Sequence, residues 1–236
     1  LDNIAIGIHM LWSRLKVRAP FIRALKSLEK TQADVLMRIL CDNNKTEFGK
    51  KYGLSEISSV SEFRNLVPIH DYDDLEPYIK RQQEGHRSLT TEAPVYYART
   101  SGTTGSYKDI PLTESGINQI KHFQKQLAYS LWSQTDFFRG TILGFSSPRF
   151  EGKLSNGIPY GSTSGAIYDS LSSLFKKKLA SPSEAFDLND VESKYEVYAL
   201  SALAHDSVTG VSSVNPSSLL KVCTLIEEDA EALISL

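Results

Sequence analysis

YYARTSGTTGSYKDIPLT, residues Tyr96 to Thr113, crowds hydroxyls and glycines into its centre. Thr100, Ser101, Gly102, Thr103, Thr104, Gly105 and Ser106 occupy seven consecutive positions, with Lys108 two residues on. Such a run makes a poor helix and a poor strand but a good anion cradle. Glycine lets the backbone turn so that successive N–H groups converge on one point. The hydroxyls add short donors, and a lysine supplies a point charge for a phosphate. The ligand these groups suit is a nucleoside triphosphate. A solvated loop is the plainer reading of any Ser/Thr/Gly run. The strand-like Val95-Tyr96-Tyr97-Ala98 before it and a helix after it favour phosphate binding.

Two familiar phosphate patterns fail on these residues. A Walker A loop needs Gly-Lys-Ser/Thr, whereas Tyr107 precedes Lys108 and Asp109 follows it. The dinucleotide fingerprint needs a third glycine and a strand-to-helix turn, which Gly102 and Gly105 alone do not supply. The run does resemble the Thr-Ser-Gly-Thr-Thr-Gly-x-x-Lys loop of adenylate-forming enzymes. Those usually continue with Pro-Lys-Gly, where this chain has Tyr107-Lys108-Asp109.

Other segments narrow the resemblance. TEFGKKYGL (Thr46 to Leu54) and VPIHDYDDLEPYI (Val67 to Ile79) are similar to the acyl-acid amido synthetases named for their auxin-responsive plant members. KDIPLT (Lys108 to Thr113) and GIPYGSTSGAIY (Gly157 to Tyr168) resemble the bacterial members of that family. The likeness runs from about Thr46 through the last helix.

This resemblance implies an α/β fold, the N-terminal part of an adenylate-forming large domain with a mixed sheet flanked by helices. It implies a ligase that uses ATP and Mg to adenylate a small-molecule carboxylic acid, then passes the acyl group to an amino acid. Acyl transfer to coenzyme A and a non-catalytic nucleotide-binding remnant are the alternatives. The ATP phosphates would be held by Thr100, Ser101, Gly102, Thr103, Thr104, Gly105 and Lys108. The acid pocket would use Phe123 and Leu127 of a long helix and the junction at Val214, Asn215 and Ser217. No catalytic residue or metal ligand is assigned. The family's later Ser-Ser-Glu and Tyr-Arg-x-Gly-Asp motifs have no counterpart before Leu236. Residues 1–236 are therefore expected to be an incomplete N-terminal adenylation domain, lacking the C-terminal domain and inactive alone.

Composition agrees with a globular protein: 236 residues, 41% hydrophobic and 23% charged. The net charge of −2 gives no overall electrostatic case for nucleic acid or an anionic membrane. No apolar run approaches a membrane span. Ile4 to Trp12 reads as an N-terminal amphipathic helix, since its basic residues follow rather than precede the apolar run. Cys41 and Cys223 show no metal-type spacing and are expected to be reduced and buried, which points to the cytoplasm.

Hydrophobic periodicity predicts a helix over Ile22 to Leu40, with Thr31 and Asp34 either interior or marking a break. Thr46, Ser61 and Asp71 are expected caps, and Pro77 is expected to limit the helix that Asp71 starts. Thr113 to Gln134 is the clearest helix, starting around Thr113, Glu114 and Gly116. A strand is expected at Thr141 to Phe145, a helix at Glu192 to Ala204, and a strand at Val208 to Val214. Asn215-Pro216 starts the last long helix. Residues 146–184 read as irregular.

Further clusters have plain structural readings. Gly161-Ser162-Thr163-Ser164-Gly165 approaches a nucleophile elbow, but threonine sits at the nucleophile position and no strand-to-helix turn is evident. His122 is expected in the core and His205 at a helix C-terminus. Asp71, Asp73 and Asp74 suit a helix N-terminus better than a cation site. Lys176-Lys177-Lys178 reads as a solvated face.

Overall fold

Ile6, Met10 and Ser13 share one face of helix α1 (Asp2–Ser13), and that face is buried while Ile4, Ile8 and Leu11 are exposed. A π-helical turn, Arg14–Arg18, leads to α2 (Ala19–Leu25). The computed structural model describes residues 2–100, 107–188 and 190–234. The single helix expected from Ile22 to Leu40 is broken: α3 spans Leu28–Asn43, and Ser27 leaves helical geometry at φ −135°. Thr31 does not break the helix. Its hydroxyl donates to the Ala24 and Ser27 carbonyls, which also accept the Ser27 and Thr31 N–H groups, and so ties α3 to the turn before it.

The next helices are short and set by their caps. Thr46 accepts from the Gly49 N–H to start α4 (Glu47–Lys51). Ser59, not Ser61, caps α5 (Val60–Leu66), because its hydroxyl reaches the N–H of Glu62. Asp71 and Asp74 form a reciprocal capping box on α6 (Tyr72–Gln83). Pro77 lies inside α6 and does not limit it. A proline that deep removes one ladder bond, and the side-chain contacts of Gln82 and Arg81 hold the following turn. Leu40, Leu54 and Ile57 form a core beneath these helices, with Phe48, Tyr52 and Phe63 packed against it.

KDIPLT is a strand. Strand β1 (Pro94–Thr100) pairs antiparallel with β2 (Lys108–Thr113), so the glycine-rich run is a hairpin connection and no helix follows it directly. Helix α7 (Glu114–Gln134) follows β2, with the Thr113 hydroxyl accepting from the Gly116 N–H. After β3 (Thr141–Gly144) come β4 (Gly152–Lys153) and β5 (Pro159–Gly161). Helices α8 (Thr163–Ser170) and α9 (Ser173–Lys176) and a 3-10 turn at Ser183–Asp187 follow. The stretch 146–184 therefore carries short strands and helices between its irregular segments. The chain closes with α10 (Val191–Leu203), β6 (Val208–Ser212), α11 (Pro216–Glu228) and α12 (Ala230–Ile234).

The chain forms two compact units by contact. One comprises Arg18–Ile120 and Glu151–Gly161. Its mixed sheet has the order β2-β1-β5-β4, antiparallel except for the parallel β1–β5 pair. The other comprises Leu1–Val17, Lys121–Phe150 and Ser162–Leu236, with a parallel β3–β6 pair. One of its cores gathers Phe186, Tyr198, Ala199 and Val222; a second gathers Ile6, Met10, Phe138 and Ile142. The architecture is α/β.

Several local expectations are overturned. Cys41 and Cys223 are free but exposed, each on an outward position of its helix. His122 is exposed as well, so it is not a core residue. A strand-to-helix turn does exist after Gly161, where the Ser162 hydroxyl caps α8 by accepting from the Gly165 N–H. Lys176 and Lys178 are engaged rather than merely solvated: Lys176 lies near Asp169 and Lys178 donates to Asn3. Asp190 and Asn215 cap α10 and α11. No helix among the described residues is long and apolar enough to cross a membrane.

Gly49 shows why a glycine stands in TEFGKKYGL: a Cβ there would run into the Asn43 carbonyl and the Asn44 backbone. Backbone cannot swing aside as a side-chain tip can. Gly49→Ala is expected to destabilise the fold by about 1–3 kcal/mol, read as a lower urea midpoint with an unchanged slope. An unchanged midpoint would contradict this close approach.

Candidate functional site

Strand β1 is the axis of the candidate site. Tyr96, Tyr97 and Ala98 are buried, and β1 is paired on both sides, with β2 and with β5. The last cross-strand pair before the glycine-rich connection is Thr100 with Lys108. The next pair inward is Arg99 with Asp109, and directly opposed residues project to the same face. Arg99 uses that geometry fully: Nε donates to one Asp109 oxygen at 2.8 Å and Nη2 to the other at 3.0 Å. Both side chains are largely buried, 18% and 16% exposed, so water screens this fork less than a surface pair.

Two rings and an amide complete the surroundings. The Arg99 guanidinium lies 3.5 Å from the Tyr160 ring centroid and 5.4 Å from that of Tyr107. Guanidinium stacking on an aromatic face is favourable by about 0.5–2 kcal/mol. Gly152 opposes Tyr160 across β4 and β5, and a Cβ there would come within 2.6 Å of the Tyr160 hydroxyl. The Gln83 amide approaches Asp109 at 3.4 Å.

Tyr72 ties the hairpin to α6. Its hydroxyl accepts the Asp109 N–H at 2.9 Å, and the Lys108 ammonium sits 5.1 Å from its ring centroid. Tyr72 is the first residue of α6 and is placed by the Asp71 capping box. Further along α6, Arg81 grips Glu47 of α4 with two bonds of 2.7 Å. Phe48, Tyr52, His70 and Tyr78 stack edge to face between the same elements, and Tyr52 Oη meets His70 Nε2 at 2.7 Å. The two upstream motifs thus brace the helix that carries Tyr72.

Of the expected phosphate-binding residues, Thr100 and Lys108 end the two strands facing each other, Thr100 exposed and Lys108 half-buried. Ser101, Gly102, Thr103, Thr104 and Gly105 lie outside the described residues. Sequence reasoning missed Arg99, Asp109, Tyr72 and Tyr160. A signal for the first two was present. They flank Thr100 and Lys108 symmetrically, so a hairpin pairing Thr100 with Lys108 must pair Arg99 with Asp109.

Of the expected acid-pocket residues, Phe123, Val214, Asn215 and Ser217 do not line the cavity that Leu127 lines. Phe123 is 63% and Val214 83% exposed. Asn215 spends its side-chain oxygen on the Ser217 N–H as a helix cap. Leu127 instead lines an apolar cavity of about 420 Å³ with Met10, Ala128, Leu131, Phe138 and Phe175. Its polar lining includes His9, Lys121, Lys125 and Ser212. Burial, and then the Lys125 charge, holds the His9 imidazole below its ordinary value. The wall from α1 could not be foreseen from the sequence, because α1 and α7 are more than a hundred residues apart.

No group of three or more His, Cys, Asp or Glu residues poised to hold a metal ion occurs among the described residues. At the Gly161–Gly165 turn, the Ser162 hydroxyl donates toward the Pro148 carbonyl at 2.8 Å and caps α8, so it serves the backbone.

Comparison with known proteins finds related chains. The family described as GH3 family N-terminal domain matches residues 18–236. Jasmonoyl–L-amino acid synthetase JAR6 of Nicotiana attenuata is 28% identical over 96% of this chain. Indole-3-acetic acid-amido synthetase GH3.2 of Arabidopsis thaliana is 27% identical over 90%. The chain spans 41% and 42% of the lengths of these relatives. The solved structure of GH3.15 acyl acid amido synthetase superposes with a TM-score of 0.74 at 25% identity, covering 90% of this chain and 39% of that one.

Tyr97 and Tyr198 give a pH prediction. Both phenols are pushed up to about 12 by burial, with the Asp109 charge adding to the effect at Tyr97. Unfolded phenols ionise near pH 10. Below that value both states keep their protons and the contribution is fully present. As pH rises from about 10 toward 12, the unfolded chain releases protons that the folded chain retains, and stability falls. Denaturant midpoints across this range should drop, by less in Tyr97→Phe than in the wild type.

Proposed function

This chain belongs to the GH3 family, and from that premise we propose that the whole protein is an ATP-dependent ligase joining a carboxylic acid to an amino acid. The observation that carries the reading is the Ser/Thr/Gly-rich connection held between Thr100 and Lys108, at the end of a strand paired on both sides. A carboxylate oxygen attacks the α-phosphorus of ATP, the bond to the β-phosphate oxygen breaks, and pyrophosphate leaves. The amino acid amine then attacks the acyl carbon of the adenylate, and AMP departs with the bonding electrons.

In the first step negative charge builds on the β- and γ-phosphates. Thr100, Ser101, Thr103, Thr104, the Gly102 and Gly105 amides and Lys108 are assigned to stabilise it, since donors fixed in advance need no reorganisation as charge develops. Magnesium would enter as the ATP complex. No described acidic cluster suits it, so no step is assigned through the metal.

The relatives' names, jasmonoyl and indole-3-acetic acid, suggest an apolar monocarboxylic acid as substrate. The cavity lined by Leu127 suits that class: its walls are largely apolar, while Lys121 and Lys125 offer cations to a carboxylate. A cytoplasmic location fits the two exposed free cysteines, because surface thiols persist in a reducing compartment.

Carboxylate-dependent exchange of pyrophosphate into ATP by the whole protein tests the reading. Ser101→Ala with Thr103→Ala should lower the exchange rate by about 10²-fold or more at unchanged thermal stability. Full exchange in that variant would remove the loop from the mechanism. Ala128→Trp, which fills the cavity, should raise KM for the acid and leave KM for ATP unaltered. Equal changes in both constants would exclude the cavity as the acid pocket.

A further inference from the structure

We propose that Arg99 and Asp109 are positioning residues for triphosphate recognition: their fork fixes Thr100 against Lys108 and leaves Lys108 as the cation offered to phosphate. The proposal rests on the phosphate-loop reading above and deepens it.

The argument begins with hairpin mechanics. Thr100 and Lys108 are the two strand ends from which the connection springs, and the pair directly beneath them is Arg99–Asp109. A bidentate guanidinium–carboxylate contact is directional as well as strong. Bonds of 2.8 and 3.0 Å to separate oxygens therefore resist both sliding and splaying of the two strands at that level. Three neighbours hold the pair. Tyr160 covers the guanidinium, Tyr72 takes the Asp109 N–H, and Gln83 approaches the carboxylate.

Charge supplies a second reason. Arg99 and Asp109 each adjoin one of the assigned phosphate ligands. An unpaired arginine there would compete for phosphate at the wrong height, and an unpaired aspartate would repel it. In the fork both carboxylate oxygens are occupied, and the facing Nε and Nη2 donors are spent. Among the described residues Lys108 makes no such pair. Its ammonium rests over the Tyr72 ring, an attraction that leaves all three N–H donors usable.

Inorganic tripolyphosphate is the probe, because it reports on the phosphate cradle without an adenine contact. Its Kd is measured by calorimetry on the whole protein, alongside the thermal midpoint. Arg99→Lys keeps the charge but loses the fork, and should weaken binding roughly tenfold, as expected for losing one charge-assisted bond. The exchanged pair, Arg99→Asp with Asp109→Arg, should recover most of that affinity. A pair serving stability alone would lower the thermal midpoint of Arg99→Lys while the folded chain bound tripolyphosphate as the wild type does. That result overturns the proposal. Absence of binding by the wild type would overturn the phosphate-loop reading and this inference with it; wild-type binding with an unaffected variant removes only the inference.

Discussion

Strand β1 has a neighbour on each side, and the candidate site depends on that constraint. With β2 antiparallel on one edge and β5 parallel on the other, its backbone groups are committed to the sheet. It cannot twist away or slide without exposing Tyr96, Tyr97 and Ala98, which are among the most buried residues of their unit. A one-residue slip would also reverse the face of every side chain. Arg99 would then leave Asp109 and Tyr160 together. The ends of the glycine-rich connection are thus set by strand pairing first and by side-chain contacts second.

The upstream motifs acquire a physical role from this arrangement. TEFGKKYGL supplies Glu47, Phe48 and Tyr52; VPIHDYDDLEPYI supplies His70, Tyr72 and Tyr78. Stacked rings and the Glu47–Arg81 fork lock α4 to α6. The Asp71 capping box sets where α6 begins, and therefore where the Tyr72 hydroxyl stands. Their described contacts are packing, caps and ion pairs. They transmit rigidity to a hydrogen bond on the backbone of Asp109, beside the lysine on which the proposed function relies.

What could be read from the sequence divides by range. Thr46, Asp71, Thr113 and Asn215 were legible as caps because the bond each makes closes within three residues. The same locality explains the errors. Ser59 and Ser61 offer the same hydroxyl two residues apart, and only the strand-like φ of −144° at Ser59 selects it. Pro77 looked terminal because its missing N–H is a local fact, whereas the contacts that carry α6 onward come from elsewhere. Phe123, Val214 and Asn215 were grouped by their place along the chain. The cavity walls come from α1, α7 and the segment around α9, a combination that only tertiary packing creates.

The departure at Tyr107-Lys108-Asp109 is explained by the same contacts. Where similar loops carry Pro-Lys-Gly, an aspartate immediately after the lysine would, by itself, reduce the lysine's pull on phosphate. Here the acid is answered by Arg99 on the opposed strand, at a position set by pairing rather than by sequence proximity. Tyr107, in place of proline, turns its ring toward that same guanidinium. The two departures from the usual pattern, Tyr107 and Asp109, both meet the Arg99 guanidinium. Arg99 and Asp109 neutralise each other across the paired strands, while Lys108 forms no ion pair among the described residues and rests by the Tyr72 ring.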